Sequence, residues 1–573
     1  MDSWLSGFLQ LEDSYVHVFQ VILRYLIPVL AAILLYRTAK SLTTFRREPE
    51  IWAWLCLPNG KKLPITHWEN VIGRSKRSDV VIDVPTISRN HAVLTRYDDG
   101  SWTITDAGSK SGTLVNGKKV DICALDPEDT ITIGGVDMHL VPISRKQELK
   151  LAELRTKASS PLFSVVNLML LTLIQGFICV SYLMTARADH LDSIFYGFFG
   201  IAFCQWALLV FYLVIQKPSF EQETIAFFLC TMGMAAIAAT RPGESVKQLL
   251  AMIMGLGAFL GVGWAVRDLE RSKKMRYYAG VAGILLLVIT LLFGKEYHGA
   301  KNWLMIGSLS IQPSELAKVC FVFMGASTMD RIMNKRNILL FIVYTVTICA
   351  CLAVMNDFGT ALIFFVAFLL IAYLRSGSVG TIALACTSLG FAGVLALKIA
   401  PHALRRFAIW RHIWEDPLGA GYQQTRSLMC IASGGLLGLG AGNGWMKNVF
   451  AADSDVVVAT LSEEWGLLIT IMLIVCVIVL SLFALRTAAM ARSSFYTIGA
   501  CTAAGILLVQ TIFNALGTLD VLPLTGVTFP FVSNGGSSMI CAWGLLAFIK
   551  ASDTRQNASF AVRQSREGRL EDE

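Results

Sequence analysis

Residues 453–466 read Asp453-Ser454-Asp455-Val456-Val457-Val458-Ala459-Thr460-Leu461-Ser462-Glu463-Glu464-Trp465-Gly466 and run directly into the apolar stretch Leu467 to Leu485. They close a longer segment, 401–463, that lies between membrane-length apolar runs. That segment bears Arg405, Arg406, Arg411, Glu415, Asp416, Arg426, Lys447, Asp453, Asp455 and Glu463. Charge is expensive in a mostly apolar membrane half, so a cluster this dense lines a wet cavity or a site.

The rest of the chain agrees. With 573 residues, 54% hydrophobic and only 16% charged, at a mean hydropathy of +0.58, it is too apolar for an ordinary soluble enzyme. One apolar run, about Val18 to Leu35, is followed by about twelve more between Leu162 and Ile549. This pattern defines a polytopic α-helical membrane protein of about 13 transmembrane helices. The net charge of +8 does not point to nucleic acid, because the basic residues sit between the runs. Arg37, Lys40, Arg46 and Arg47 follow the first run; Arg271, Lys273, Lys274 and Arg276 fill one loop, Arg331, Lys335 and Arg336 another, and Arg486 and Arg492 a third. Positive-inside bias places these loops, Arg375 and the C-terminal tail inside, and Gly299 to Ser314, the Asp357 turn and 401–463 outside. Acids before the first run and bases after it describe an anchor helix with its N-terminus outside, and no cleavable signal peptide. The 13 cysteines lie mostly in apolar runs without CxxC spacing and are taken as small hydrophobes.

Between the first two apolar runs, about Ile51 to Ile143, the periodicity changes. Ala92-Val93-Leu94-Thr95-Arg96 and Trp102-Thr103-Ile104-Thr105 flank the turn Asp98-Asp99-Gly100, and a second turn, Asn116-Gly117, precedes Lys118. Short alternating strands at this spacing predict a small β-sandwich, followed by a basic linker helix lying near the membrane face. Within it stand Gly73-Arg74, Ser88-Arg89-Asn90-His91 and Ser109-Lys110-Ser111-Gly112-Thr113. These residues resemble a forkhead-associated (FHA) domain, which implies recognition of a phosphothreonine protein from a Ser/Thr kinase pathway. A phosphate dianion needs charged donors, here Arg74, Arg89 and Lys110, plus hydroxyl and amide donors, here Ser88 and Ser111. His91 is expected to brace the loop from within. Lys110-Ser111 departs from the usual Ser/Thr-Asn, which weakens the contact to peptide backbone; a sandwich that only packs against a partner is the alternative. Thr554 in the tail is a further candidate ligand.

Four signatures in order resemble the SEDS family (FtsW, RodA and SpoVE), membrane glycosyltransferases that polymerise peptidoglycan. They are Gly299-Ala300-Lys301-Asn302-Trp303 with Gln312-Pro313-Ser314-Glu315-Leu316-Ala317-Lys318; Asn356-Asp357-Phe358-Gly359-Thr360; the 401–466 loop with Trp414-Glu415-Asp416-Pro417 and Gly438-Leu439-Gly440; and Pro523 to Ser538. Met355-Asn356 and Asn534 depart from the usual Gln-Pro and Tyr. The expected organisation is an anchor at 1–47, the FHA-like domain at 48–143 and a basic linker at 144–161. Additional helices at 162–220, a glycosyltransferase core at 221–552 and a tail at 553–573 follow.

Asp455 occupies the position of the family's essential aspartate. A lipid-linked pyrophosphate leaves as a stabilised anion, so one carboxylate acting as base on the acceptor hydroxyl suffices. Around it the resemblance places a substrate site of Lys301, Trp303, Glu315, Lys318, Asp357, Arg405, Arg406, Arg411, Gln423, Lys447 and Ser537, whose cations would offset pyrophosphate charge. Glu315 and Lys318, three apart on one helix face, either pair structurally or line the lipid-substrate cavity. Asp453 is taken as a solvated acid in preference to a partner of Asp455 in raising a pKa or holding a divalent ion. Glu463 and Glu464 either suit the helix dipole or act in the site. The resemblance implies polymerisation of lipid II beside a class B penicillin-binding transpeptidase. The rival functions are a lipid II transporter and a phosphorylation-recruited scaffold without catalysis.

Overall fold

The computed structural model describes residues 13–44, 51–144 (except 77, 98 and 99), 159–297, 300–329 (except 307 and 308) and 335–376. It further describes pieces of 379–390, then 401–555 (except 489, 490 and 492) and 558–560. The expected linker helix, the Asp98-Asp99 turn and most of the apolar run after Ser376 lie outside these residues.

Helix α1 (Asp13–Thr43) is 31 residues long, roughly 46 Å at 1.5 Å per residue, enough to cross a bilayer with a turn to spare at each end. It leads into the sandwich, whose strands are β1 (Ala53–Cys56), β2 (Lys62–Ile65), β3 (Glu69–Gly73), β4 (Val80–Val81), β5 (Ala92–Arg96), β6 (Trp102–Asp106), β7 (Thr113–Val115), β8 (Lys118–Val120), β9 (Ile122–Leu125), β10 (Thr130–Ile133) and β11 (Val136–Pro142). One sheet has the order β2-β1-β11-β10-β7-β8 and the other β4-β3-β5-β6-β9. Alternate residues from both, including Leu55, Ile72, Ile104, Ile131 and Leu140, form a core of the sandwich's own. Asn116 and Gly117 both take positive φ (51° and 78°) and close the β7–β8 hairpin, as the Asn-Gly pair predicts.

The helices that follow are α2 (Pro161–Thr185), α3 (Leu191–Val214), α4 (Glu221–Thr240), α5 (Ser245–Val266) and α6 (Leu269–Phe293). A small antiparallel sheet, β12 (Lys295–Tyr297), β13 (Ala300–Ile306) and β14 (Leu309–Ile311), precedes α7 (Pro313–Met329), α8 (Lys335–Val354) and α9 (Phe358–Ser376). The last elements are α10 (Pro401–Ile409), α11 (Tyr422–Gly434), α12 (Val457–Ala488), α13 (Ser494–Thr518) and α14 (Gly536–Ala551). Among the described residues nine helices are long and apolar enough to cross a membrane, and Ile338–Val354 and Gly536–Ala551 are shorter apolar helices. Helix α4 is buried on every face along its length, apolar beyond its first turn, so it forms the centre of the bundle. Phe227 on it packs against Trp543, with ring centroids 5.1 Å apart, and Phe259 and Phe531 close the same aromatic cluster.

One end of the bundle carries the sandwich. There Arg486 donates to the Thr43 carbonyl, Lys273 pairs with Glu69 at 3.3 Å, and Trp68 meets Tyr496 edge-on with centroids 6.4 Å apart. Two groups of buried charges at this end are paired: Lys550 with Glu223 at 3.1 Å, and Arg555 with both Asp553 (2.8 Å) and Glu221 (3.2 Å). Thr554, half-buried, sits between the buried Asp553 and Arg555. The opposite end carries β12–β14, the Asp357 turn and residues 401–456, as helix parity requires.

Candidate functional site

Asp455 lies in a tight turn that ends at α12. Ala451, with φ 53°, turns its carbonyl to accept from the amides of Ser454 and Asp455, each at 3.1 Å. Two distant elements then clamp this turn. Asn514, buried inside α13, donates its amide to the carbonyls of Asp455 (3.0 Å), Ser454 (3.3 Å) and Val527 (2.9 Å). Ser533 donates its hydroxyl to the Ser454 carbonyl at 2.7 Å and accepts from the Phe529 amide at 2.8 Å.

The Asp455 carboxylate and the Arg406 guanidinium converge over Gly526. A Cβ placed on that glycine (φ 72°) would lie 3.4 Å from Asp455 Oδ2 and 4.0 Å from Arg406 Nη1. Arg406 is held there by donating to the Thr525 carbonyl at 3.0 Å. A base and a cation on one glycine turn can take a proton from a hydroxyl and neutralise an anion beside it.

Asp453 is a correction. It is 2% exposed, not a solvated acid. Asn534 donates both its backbone amide to the Asp453 carbonyl and its side-chain amide to Asp453 Oδ2, each at 2.7 Å. Arg241 Nε approaches the same oxygen at 3.6 Å, and the Asn534 amide also reaches Glu244 at 3.1 Å. Asn534, which replaces a usual Tyr, thus matches the Asp453 that replaces the usual residues of this segment. With a guanidinium and an amide donor on Oδ2, the donor set around Asp453 is the wrong sign for a shared cation. Among the described residues no group of three or more His, Cys, Asp or Glu could hold a metal ion.

The other candidate residues divide into groups. Lys318 and Glu315 form a buried ion pair at 2.8 Å on the first turns of α7, and Ser537 accepts from the neighbouring Gln312 amide at 2.8 Å. Asp357 gathers Asn302 (3.1 Å), Gln312 (3.3 Å) and the Thr360 amide (3.1 Å), tying β13 and α7 to the start of α9. Lys301 turns its amine to the Leu291 carbonyl at 2.7 Å, where it caps the end of α6. Trp303 is half-buried on β13. Gln423 on α11 donates to the Phe450 carbonyl at 3.0 Å. Arg411 (φ 64°) presents its backbone amide to Asp520 at 3.3 Å and lies over the Trp410 ring. Arg405 is on α10, but its side chain is outside the described residues.

Glu463 and Glu464 act on backbone. Glu463 accepts from the amides of Trp445 (2.9 Å) and Met446 (2.8 Å), and Glu464 from Gly442 (3.1 Å) and Gly444 (3.3 Å). Lys447, exposed, donates to the Gly442 carbonyl at 3.2 Å. Sequence reasoning missed Arg241, Glu244 and Asn514. Asn514, one of two buried amides with Gln510 in an otherwise apolar helix, was the one with a legible signal.

In the sandwich, Arg74, Arg89, Lys110 and Ser111 are exposed at one end. The loops bearing them are tied together by Arg74 N to the Ser88 carbonyl (3.0 Å) and Lys110 N to Ser88 Oγ (3.1 Å). His91 is buried, accepts from the Ser88 amide at 3.1 Å and contacts the Gly112 carbonyl at 3.1 Å, the bracing role expected of it. Asp106 shapes the third loop. Burial works against its charge, but the hydroxyls of Ser109 and Thr113 and the amides of Ser109 and Gly108 outweigh that and hold its carboxyl below the usual range.

A sandwich with such loops on one end of a bundle, and an acid and arginine on the other, defines a two-domain membrane protein. Residues 224–557 match the FtsW/RodA/SpoVE cell cycle protein family, and residues 70–134 match the FHA domain. The chain belongs to the FtsW/RodA/SpoVE family and carries an FHA domain. Among its relatives, the peptidoglycan glycosyltransferase RodA of Mycobacterium bovis is 29% identical over 323 residues, covering 53% of this chain and 69% of its own. The probable peptidoglycan glycosyltransferase FtsW of Tolumonas auensis is 30% identical over 368 residues, covering 60% and 94%. A solved chain from a peptidoglycan synthase complex that coordinates polymerization and crosslinking is 24% identical, covers 58% of this chain and 96% of its own, and superposes with a TM-score of 0.49.

Proposed function

We propose that the protein is a peptidoglycan glycosyltransferase that polymerises lipid II at the outer face of the bacterial cytoplasmic membrane. The observation that carries this is the convergence of Asp455 and Arg406 over Gly526. Asp455 takes the proton of the acceptor hydroxyl as its oxygen bonds to the anomeric carbon of the donor. The bond from that carbon to the pyrophosphate breaks with inversion, and undecaprenyl pyrophosphate leaves with the electron pair. Arg406 meets the charge that develops on the leaving group, and Lys447 and Arg411 add to the positive field on the same side. The Glu315–Lys318 pair supports the helix that carries it, since each charge offsets the burial of the other.

The test is glycan synthesis by the purified full chain from lipid II in detergent. Wild type should form polymer, and Asp455→Asn, which keeps the volume and removes the base, should lower the rate by on the order of 10²-fold or more. A lipid II transporter would give no product without a bilayer, and a scaffold would tolerate the substitution.

The sandwich lies inside, with the basic loops, and receives a phosphothreonine protein, while a class B penicillin-binding transpeptidase crosslinks the new glycan. Arg74→Ala should cost roughly 1.5–3 kcal/mol of phosphothreonine-peptide affinity, the scale of a charge-assisted hydrogen bond. Titration of the 48–146 fragment measures it, and equal affinity for the unphosphorylated peptide would leave the sandwich a packing module.

A further inference from the structure

The glycine-rich loop 438–446 depends on helices that precede the family's matched region at 224–557. Tyr182, fully buried near the end of α2, donates its hydroxyl to Glu464 Oε2 at 2.6 Å and accepts from Trp465 Nε1 at 3.0 Å. The same Glu464 oxygen receives the Gly442 amide. Gly442 (φ 76°) is packed so closely that a Cβ on it would come within 2.6 Å of Thr185 Oγ1 on α2. From α1, Gln20 donates to the Ala441 carbonyl at 3.2 Å and accepts from Asn443 Nδ2 at 2.8 Å. Two accessory helices therefore grip three consecutive residues of one loop, and the central one holds Lys447 by its carbonyl.

We propose that α1 and α2 form a collar that positions the 438–448 loop, and that Tyr182 and Gln20 are positioning residues acting on substrate binding through Glu464, Gly442 and Lys447. The proposal rests on the glycosyltransferase function for its ligand, a lipid-linked pyrophosphate, but not for the grip itself. Tyr182 satisfies a carboxylate whose other partners are loop amides. Without its hydroxyl, Glu464 Oε2 keeps Gly442 alone, Trp465 Nε1 loses its acceptor, and the loop loosens where Lys447 projects. The bond-making residues Asp455 and Arg406 are held by other elements, α13 and the 525–535 segment, so the collar acts on binding more than on turnover.

The test uses the purified full chain, comparing wild type with Tyr182→Phe and Gln20→Leu. Lipid II polymerisation is measured over a range of substrate, and amide hydrogen exchange is followed by mass spectrometry. Each variant should raise KM about fivefold with kcat within about twofold, the signature of lost binding without loss of chemistry. Amides at 440–446 should exchange faster in each variant, while those at 470–480 keep the wild-type rate. An unchanged KM, or KM and kcat moving only with a uniform rise in exchange across the bundle, would overturn the collar. If wild type itself makes no polymer, the glycosyltransferase function fails. Exchange at 440–446 then decides the grip alone: faster exchange in both variants upholds it, and wild-type exchange rejects it.

Discussion

A buried carboxylate two residues from the proposed base is explained by what touches it. Asp453 takes one oxygen to Asn534 and Arg241, which converts a potential repulsion next to Asp455 into a tether between the 451–455 turn and the 525–535 segment. Asn534→Ala should lower stability by about 1–3 kcal/mol, because it leaves a buried charge short of a donor. The loss is read by thermal unfolding of the detergent-purified chain. Asp453→Ala combined with Asn534→Ala should cost less than the sum of the two single changes. Strict additivity would mean that the bond between them contributes nothing. Asp455 was singled out in the sequence by the family resemblance, eight residues before Glu463-Glu464-Trp465-Gly466. The burial of Asp453 was not legible, because its partners lie 81 residues later and, through Arg241, at a turn between two helices remote in sequence.

Helix α12 has one break, and it is what allows the loop to be built. Gly466 stands at φ 86° and ψ 164° inside the helix, a backbone state that a residue with a Cβ adopts only under strain. The break frees the Glu463 and Glu464 carbonyls, which accept from Leu439 (2.8 Å) and Gly440 (3.0 Å), while Leu467 donates to Gly435 at 3.0 Å. A Cβ on Gly466 would also strike the Leu436 carbonyl. Gly466→Ala should therefore lower the yield of folded protein and polymerisation together, measured by size-exclusion recovery and glycan synthesis. A fully active variant at normal yield would show that the break is dispensable. The helices and strands were readable from their apolar periods, whereas this break looks like one more apolar-run residue until the crossing loop is seen. For the same reason Tyr182 and Gln20 were invisible: a period shows that a helix spans, not which loop it meets.

At the scale of the molecule, two chemistries are divided between the ends of one bundle. Single cysteines at 118 and 274, in a background cleared of accessible native thiols, should resist an impermeant thiol reagent in intact cells. Cysteines at 415 and 445 should react. Reaction at 118 with protection at 445 would invert the proposed orientation and move Asp455 to the inner face. That the sandwich and the 401–456 segment stand at opposite ends was legible from helix parity, and the positive-inside pattern supplies the proposed orientation. The seating of the sandwich through Trp68, Glu69, Lys273 and Tyr496 was not legible, because it joins surfaces with no sequence period in common.

That seating has a consequence for how a signal would arrive. Strand β3 begins beside Trp68 and Glu69, which meet the bundle, and ends at Gly73, next to Arg74 and the phosphate loops. At about 3.3 Å per residue the strand sets those loops roughly 17–20 Å along its length from the contact. In the proposed orientation, a phosphorylated partner caught there would be moored at a fixed short reach from the inner leaflet, and its tethered domains would search a volume of nanometre dimensions. Occupancy by even a modest-affinity peptide would thus raise the effective concentration of whatever that partner carries beside the synthase toward the millimolar range.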